Sequence, residues 1–220
     1  APYTVSDRLY SAAAELARSE GLPMAVHIAE SQPERELVVR GEGEFAPGLR
    51  ARGIATPPRA RSPIALLAES GVLDRRPLLI HCVDVDETDV ELIAESGCAV
   101  AHCPIANARL GHGVAPILQL RGAGVTVGLG TDSVASNNRL DLLEEARVAS
   151  VLQRATLRDH NALGPEELLR MATLDGARAI GIDHLVGSLE VGKEADLCAV
   201  ALDRTHALPN HDPVATLFHA

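Results

Sequence analysis

The chain has almost no aromatic residues. Its 220 residues include two Phe, two Tyr and no Trp, 2% in all. The core must therefore be filled by Leu, Val, Ile and a great deal of Ala. The ring platforms on which single-stranded nucleic acids stack are missing as well. Positive charge is scarce: 20 basic residues, nearly all Arg, stand against 30 acidic ones, a formal net charge of −10. The Arg residues are scattered, and the group from Arg50 to Arg61 lies among Pro and Ala and reads as a solvated loop. Neither a nucleic acid nor an anionic membrane is an expected partner. Paired cysteines are also absent. Cys82, Cys98, Cys103 and Cys198 form no C-x-x-C, and each lies in or just after an apolar run. They read as reduced, buried thiols rather than as a structural zinc site. No apolar run approaches the roughly 18–20 residues of a membrane span. The opening Ala1-Pro2-Tyr3-Thr4 does not read as a signal peptide, and a cytoplasmic location is expected.

What remains is a globular composition, 46% hydrophobic and 23% charged, in a chain long enough to bury a core. Residues 5–20 carry Leu9, Ala13, Leu16 and Ala17 at helical spacing, with Ser6 as N-cap and Gly21-Leu22-Pro23 as the stop. Residues 24–28 read as a buried strand and Gln32–Arg40 as a short helix, followed by a long polar excursion to residue 61. Helices are then expected at 63–71, 86–96, 114–123 and 139–157, and strands at 77–81, 98–102 and 125–129. Two more helices follow at 165–173 and 174–181. Apolar strands alternating with helices indicate an α/β fold with a parallel sheet covered by helices. The stretch from Gly187 to Val200 reads as two short strands around a Gly turn.

Three clusters sit where these strands should end: His27-Ile28-Ala29-Glu30, His81-Cys82 and Gly130-Thr131-Asp132-Ser133. Taken singly, each has a plain structural explanation. A strand-end His can be a satisfied structural residue, and an Asp in a turn commonly caps the next helix. Together they suggest one metal-centred hydrolytic site, because a parallel barrel places its chemistry at strand ends. His27 and Asp132 are the best placed metal ligands, since imidazole and carboxylate suit a borderline divalent ion. Such an ion activates water near neutral pH. Asp132 is then the proton acceptor, Glu30 carries a proton to a ring nitrogen or leaving group, and His81 orients the water.

Six stretches sharpen this reading: Ala1-Pro2-Tyr3-Thr4-Val5-Ser6, His27-Ile28-Ala29-Glu30-Ser31, His81-Cys82, His102-Cys103-Pro104-Ile105-Ala106-Asn107, Leu110-Gly111-His112-Gly113 and Gly128-Leu129-Gly130-Thr131-Asp132-Ser133. Together they resemble the second half of a metal-dependent amidohydrolase, from the branch holding adenosine-type deaminases and triazine chlorohydrolases. The resemblance covers nearly the whole chain. It implies strands five to eight of a TIM-like (β/α)8 metallohydrolase barrel over residues 1–183, and the start of a small β-sandwich domain over 184–220. It implies that His27 and Asp132 bind one divalent metal, zinc ahead of iron. It implies Glu30, His81 and Asp132 as catalytic groups, and Glu30, Asn107 and Ser133 as substrate contacts. The family's first-strand His-x-His ligand pair occurs nowhere in this sequence, and Ala106 stands where the family often has Ser.

The implied reaction is hydrolysis of a non-peptide C–N bond, the deamination of an adenine-type nucleoside. The stretch Ser31 to Pro58 is most similar to deaminases of aminodeoxyfutalosine, then to those of methylthioadenosine or S-adenosylhomocysteine. A guanine deaminase fits less well, because Ser133 to Asn137 is not Gly-rich. The alternatives are a triazine-type chlorohydrolase and a catalytically inactive half-barrel scaffold. A scaffold has no need of His27, Glu30, His81 and Asp132 together. The expected partner is a small nucleoside or heterocycle, and the full-length enzyme is expected to be a homodimer. A phosphate-binding β/α protein lacks its Gly-rich turn, since Gly111-His112-Gly113 is too short.

Overall fold

The computed structural model of the chain describes residues 1–219; Ala220, the last residue of the expected second segment, lies outside them. Helix α1 (Asp7–Glu20) begins where the Ser6 hydroxyl accepts the Leu9 N–H and ends at Gly21 in the left-handed region, burying Tyr10, Ala14 and Ala17. Strand β1 (Ala25–Ile28) follows, then α2 (Gln32–Arg40), α3 (Phe45–Ala51) and α4 (Pro63–Glu69). Strand β2 (Leu78–His81), helix α5 (Glu87–Ser96) and strand β3 (Ala99–His102) continue the alternation. Short helices α6 (Pro104–Arg109) and α7 (Ile117–Gly122) lead to strand β4 (Val127–Leu129). After it come α8 (Val134–Asn137), α9 (Leu142–Leu157), α10 (Pro165–Ala172), α11 (Leu174–Ala179) and, near the end, α12 (Pro213–His219).

The four strands form one parallel sheet in the order β1-β2-β3-β4. Alternate residues divide its two faces. Val26, Ile28, Leu79, Val100 and Val127 join Ile64, Leu67, Ile93, Ile117 and Leu120 from the helices in one core cluster. On the other face Ala25 and His27 are exposed and Leu78, Ile80, Ala99 and Ala101 only partly covered. Helices α10 and α11 pack against β4. There Gly128 meets Gly176 so closely that an added Cβ would lie 2.7 Å from the Gly176 Cα. Beside this contact is a cavity of about 1020 Å³ lined by Leu78, Ala101, Gly128, Met171, Ile180 and Leu197 among others.

Three expectations are corrected. The excursion after α2 contains helix α3, a segment whose Pro47 and Gly48 hide its helical character. It is folded back by Gly41, whose carbonyl accepts from Arg50 Nη2 (2.7 Å) and Thr56 Oγ1 (2.8 Å). The stretch from Gly187 to Val200 forms no strand among the described residues. A strand exists only with a ladder partner, and here Leu189, Val191, Leu197 and Val200 stand exposed instead. Cys198 shares that exposure, whereas Cys82, Cys98 and Cys103 are buried; all four are free thiols. Among the described residues, no helix is long and apolar enough to cross a membrane.

Candidate active site

Non-glycine residues in the left-handed region are costly and tend to gather at functional sites. Eight occur among the described residues, and four of them, Ala29, His81, Cys82 and Asp132, lie at the carboxyl ends of β1, β2 and β4. At the first, Ala29 (φ 50°) turns the chain out of β1. Glu34, fully buried in the first turn of α2, holds that turn: Oε1 accepts the Ala29 N–H (2.7 Å) and Oε2 the Glu30 N–H (3.1 Å). Burial pushes the Glu34 carboxyl up to about 7, against the pull of these two amides. At the second, His81 (φ 79°) and Cys82 (φ 48°) turn out of β2, and the Cys82 N–H donates to the Ile28 carbonyl at 3.2 Å.

These turns bring the expected residues together. His27 Nε2 lies 3.6 Å from Asp132 Oδ1. The His27 and His81 rings are 5.3 Å apart, centre to centre. One ligand atom from each of His27, His81 and Asp132 can be chosen so that all lie within 4.8 Å of one another. Glu30 Oε1 stands 3.5 Å from His81 Nε2 and 3.4 Å from His112 Nδ1. Tyr3 donates its hydroxyl to Glu30 Oε2 at 3.2 Å, and its ring stacks on Phe45 with centroids 4.3 Å apart. Two of the chain's four Phe and Tyr residues therefore stand at this site. Asn107 is buried in α6, and its Oδ1 lies 2.9 Å from His81 Nδ1. Ser133 is exposed, with its hydroxyl accepting the Ala135 N–H as the cap of α8. Tyr3, Glu34, His112 and Ser136 also stand at the site, with no role legible from the sequence alone. The Tyr-Glu and His-Glu contacts join segments far apart in the chain and leave no local pattern; His112 was legible only as part of a motif.

The electrostatics follow from burial and these contacts. Asn107 presents an acceptor to His81, so Nδ1 carries the hydrogen and Nε2 keeps its lone pair. Burial lowers the His81 pKa, outweighing the nearby Glu30 and Asp132 carboxylates, and favours the neutral ring. Burial pushes Asp132 up, but the Ser136 hydroxyl, the Ser133 amide and the two imidazoles outweigh it and hold the carboxyl below its ordinary range. Burial, followed by the Glu30 carboxylate, raises the Tyr3 phenol, which stays protonated and able to donate. His102, fully buried, is lowered to about 3 by burial and then by His81.

The donor set fits a divalent metal. Two ligands at about 2.1 Å from a tetrahedral ion are themselves roughly 3.4 Å apart, close to the His27–Asp132 separation. His81 Nε2, Asn107 Nδ2, His112 Nδ1 and both ring nitrogens of His102 are buried without a hydrogen-bond partner among the described residues. Buried polar atoms left this way are available to a ligand or to ordered water. A buried His81 with a free Nε2, a carboxylate held below its ordinary range and a second carboxylate beside them are groups of the kind from which hydrolytic sites are built.

The Amidohydrolase family model matches residues 1–219. The chain is 40% identical over its full 220 residues to a 5-methylthioadenosine/S-adenosylhomocysteine deaminase of Pelotomaculum thermopropionicum, covering 47% of that protein. It is 37% identical to a 5'-deoxyadenosine deaminase of Methanothermobacter thermautotrophicus, over 96% of this chain and 45% of the relative. An adenosine deaminase from Xanthomonas campestris, solved with bound zinc, superposes with a TM-score of 0.84 at 35% identity, over 100% of this chain and 46% of that one. An atrazine chlorohydrolase from Arthrobacter aurescens, complexed with zinc, gives a TM-score of 0.78 at 29% identity, over 97% and 44%. The chain thus spans about half the length of the relatives it matches. With the family model covering all but the last residue, and the parts of a hydrolytic site gathered at its strand ends, this chain belongs to the amidohydrolase family.

Proposed function

We propose that this site hydrolyses the exocyclic C–N bond of an adenine-type nucleoside and releases ammonia. The observation that carries the reading is the convergence of Glu30, His81 and the His27–Asp132 pair at the strand ends, around a buried His81 Nε2 that has no hydrogen-bond partner among the described residues. His27 and Asp132 would hold one divalent ion, with zinc favoured by the zinc-bound relatives. Such an ion supplies a water activated at neutral pH. Asp132, ionised and steered by Ser136, accepts the water's proton. His81, fixed through Nδ1 by Asn107, aims its Nε2 lone pair at that water. Glu30, steadied by Tyr3 and flanked by His112, delivers a proton to the purine ring nitrogen, and the proton that Asp132 took from the water passes to the exocyclic nitrogen, so that ammonia leaves the tetrahedral carbon.

Deamination is favoured over dechlorination. The deaminases reach 40% identity against 29% for the chlorohydrolase, and a proton carrier placed like Glu30 suits an amine leaving group. The relatives' names point to methylthioadenosine, S-adenosylhomocysteine and 5'-deoxyadenosine ahead of aminodeoxyfutalosine. Two ligands leave an ion short of the usual three or four. We therefore read residues 1–183 as strands five to eight of a barrel whose remaining ligands lie outside these 220 residues, and 184–220 as part of a small β domain. A cytoplasmic homodimer completes the proposal. A substrate panel tests it: the zinc-loaded gene product should release ammonia from methylthioadenosine, S-adenosylhomocysteine or 5'-deoxyadenosine. Chloride release from atrazine with no ammonia from any nucleoside would favour the chlorohydrolase instead.

A further inference from the structure

Behind the site lies a buried carboxylate to which the proposed reaction gives no task. Glu145, in the first turn of α9, is 0% exposed. Its Oε2 accepts the Ile105 N–H at 3.0 Å. Ile105 lies in the first turn of α6, two residues before Asn107, whose Oδ1 fixes His81. The other oxygen, Oε1, accepts from the side-chain amide of Asn137. That amide also donates to the Thr131 carbonyl at 2.6 Å, in the residue preceding Asp132. One carboxylate thus joins the loop that carries Asp132 to the helix that anchors His81. Glu145 is not needed to cap α9, because Asp141 Oδ1 already accepts the Leu143 and Glu144 N–H groups. Burying a carboxylate is costly unless it is hydrogen-bonded, and the donors found here are the Ile105 N–H of α6 and the Asn137 side chain at the end of α8.

We infer that Glu145 and Asn137 form a positioning pair that sets Asp132 against His81, and so fixes both the metal ligand and the group that orients the water. The inference rests on the proposed function. Partners lying behind metal ligands commonly change metal affinity or activity by about 10–100-fold when altered. Glu145→Gln keeps the shape but turns an amide N–H₂ toward either Asn137 Nδ2 or the Ile105 N–H. Asn137→Ala removes the bridge to the Asp132 loop and the donor to Glu145 Oε1 but leaves the Ile105 contact, which gives a second, independent variant if the first folds poorly. Ser150→Ala is the control. Ser150 lies on the same helix, is fully buried and donates to the Leu163 carbonyl at 3.2 Å, away from both loops.

The experiment measures zinc affinity by chelator competition, kcat and KM with methylthioadenosine, and the thermal midpoint, on the gene product and these variants. Glu145→Gln and Asn137→Ala should each lower zinc affinity and kcat by about tenfold with KM little changed, while Ser150→Ala lowers the midpoint alone. Zinc affinity and kcat unchanged in both variants would overturn the inference. So would a loss in Ser150→Ala equal to theirs at the same fall in midpoint. A parent protein that binds zinc but deaminates nothing defeats the proposed reaction, while the affinity comparison still decides the role of the pair. A parent that binds no zinc defeats both.

Discussion

Glu30 is held by three kinds of contact. Glu34 fixes its backbone N–H, Tyr3 donates to one carboxylate oxygen, and the His81 and His112 rings face the other. Tyr3→Phe removes a single hydrogen bond and leaves the stack on Phe45. A net value of about 1 kcal/mol predicts roughly a fivefold fall in kcat/KM for a nucleoside, measured by ammonia release, with thermal stability nearly unchanged. His102 makes a separate prediction. Its folded-state pKa of about 3 lies below the ordinary 6.5. As pH falls the unfolded chain takes up this proton first, so the His102 contribution to stability is present above about pH 6.5 and is lost steadily down to about pH 3. Thermal midpoints should therefore fall between about pH 7 and 4, and less steeply in His102→Gln; equal slopes for the two proteins would contradict this. His27, Glu30, His81 and Asp132 were legible in the sequence because each stands where an apolar run stops. Tyr3 and Glu145 were not, because their meaning lies in contacts 27 and 40 residues away.

At the scale of elements, all four strands and the longer helices follow from apolar periodicity and end signals, with boundaries shifted by up to three residues. Ser6, Asp86 and Asp141 cap α1, α5 and α9 with their side chains, as a Ser or Asp before an apolar-periodic segment predicts. The shorter pieces escaped for physical reasons. Helix α6 opens with Pro104, which alone reads as a strand stop but is well suited to a helix's first turn. The apolar residues near Val191 alternate like a strand, but no neighbouring strand offers a ladder. One contact between elements is open to a direct test. Gly128→Ala places a methyl group where β4 meets Gly176 of α11, 2.7 Å from a backbone atom that cannot rotate away. Overpacking of this kind costs about 1–3 kcal/mol. A matching loss should appear in denaturant unfolding, and an unchanged midpoint would show that α11 yields without cost.

The whole molecule is an open parallel sheet with one face buried under helices and the other only partly covered, bearing His27. An open sheet leaves edges and interior positions that a closed barrel would fill, in keeping with a chain that spans about half the length of its relatives. A metal joining β1 to the loop after β4 would tie the first strand to the last. Because a ligand that binds only the folded state raises stability, chelation should lower the thermal midpoint of the parent protein and leave that of Asp132→Asn unmoved. The most direct measurement is elemental analysis coupled to ammonia release from methylthioadenosine, on the gene product and on Asp132→Asn. Near-stoichiometric zinc and ammonia release are expected in the parent, and loss of both in the variant. Undiminished ammonia release from a metal-free protein, or from Asp132→Asn, would contradict this.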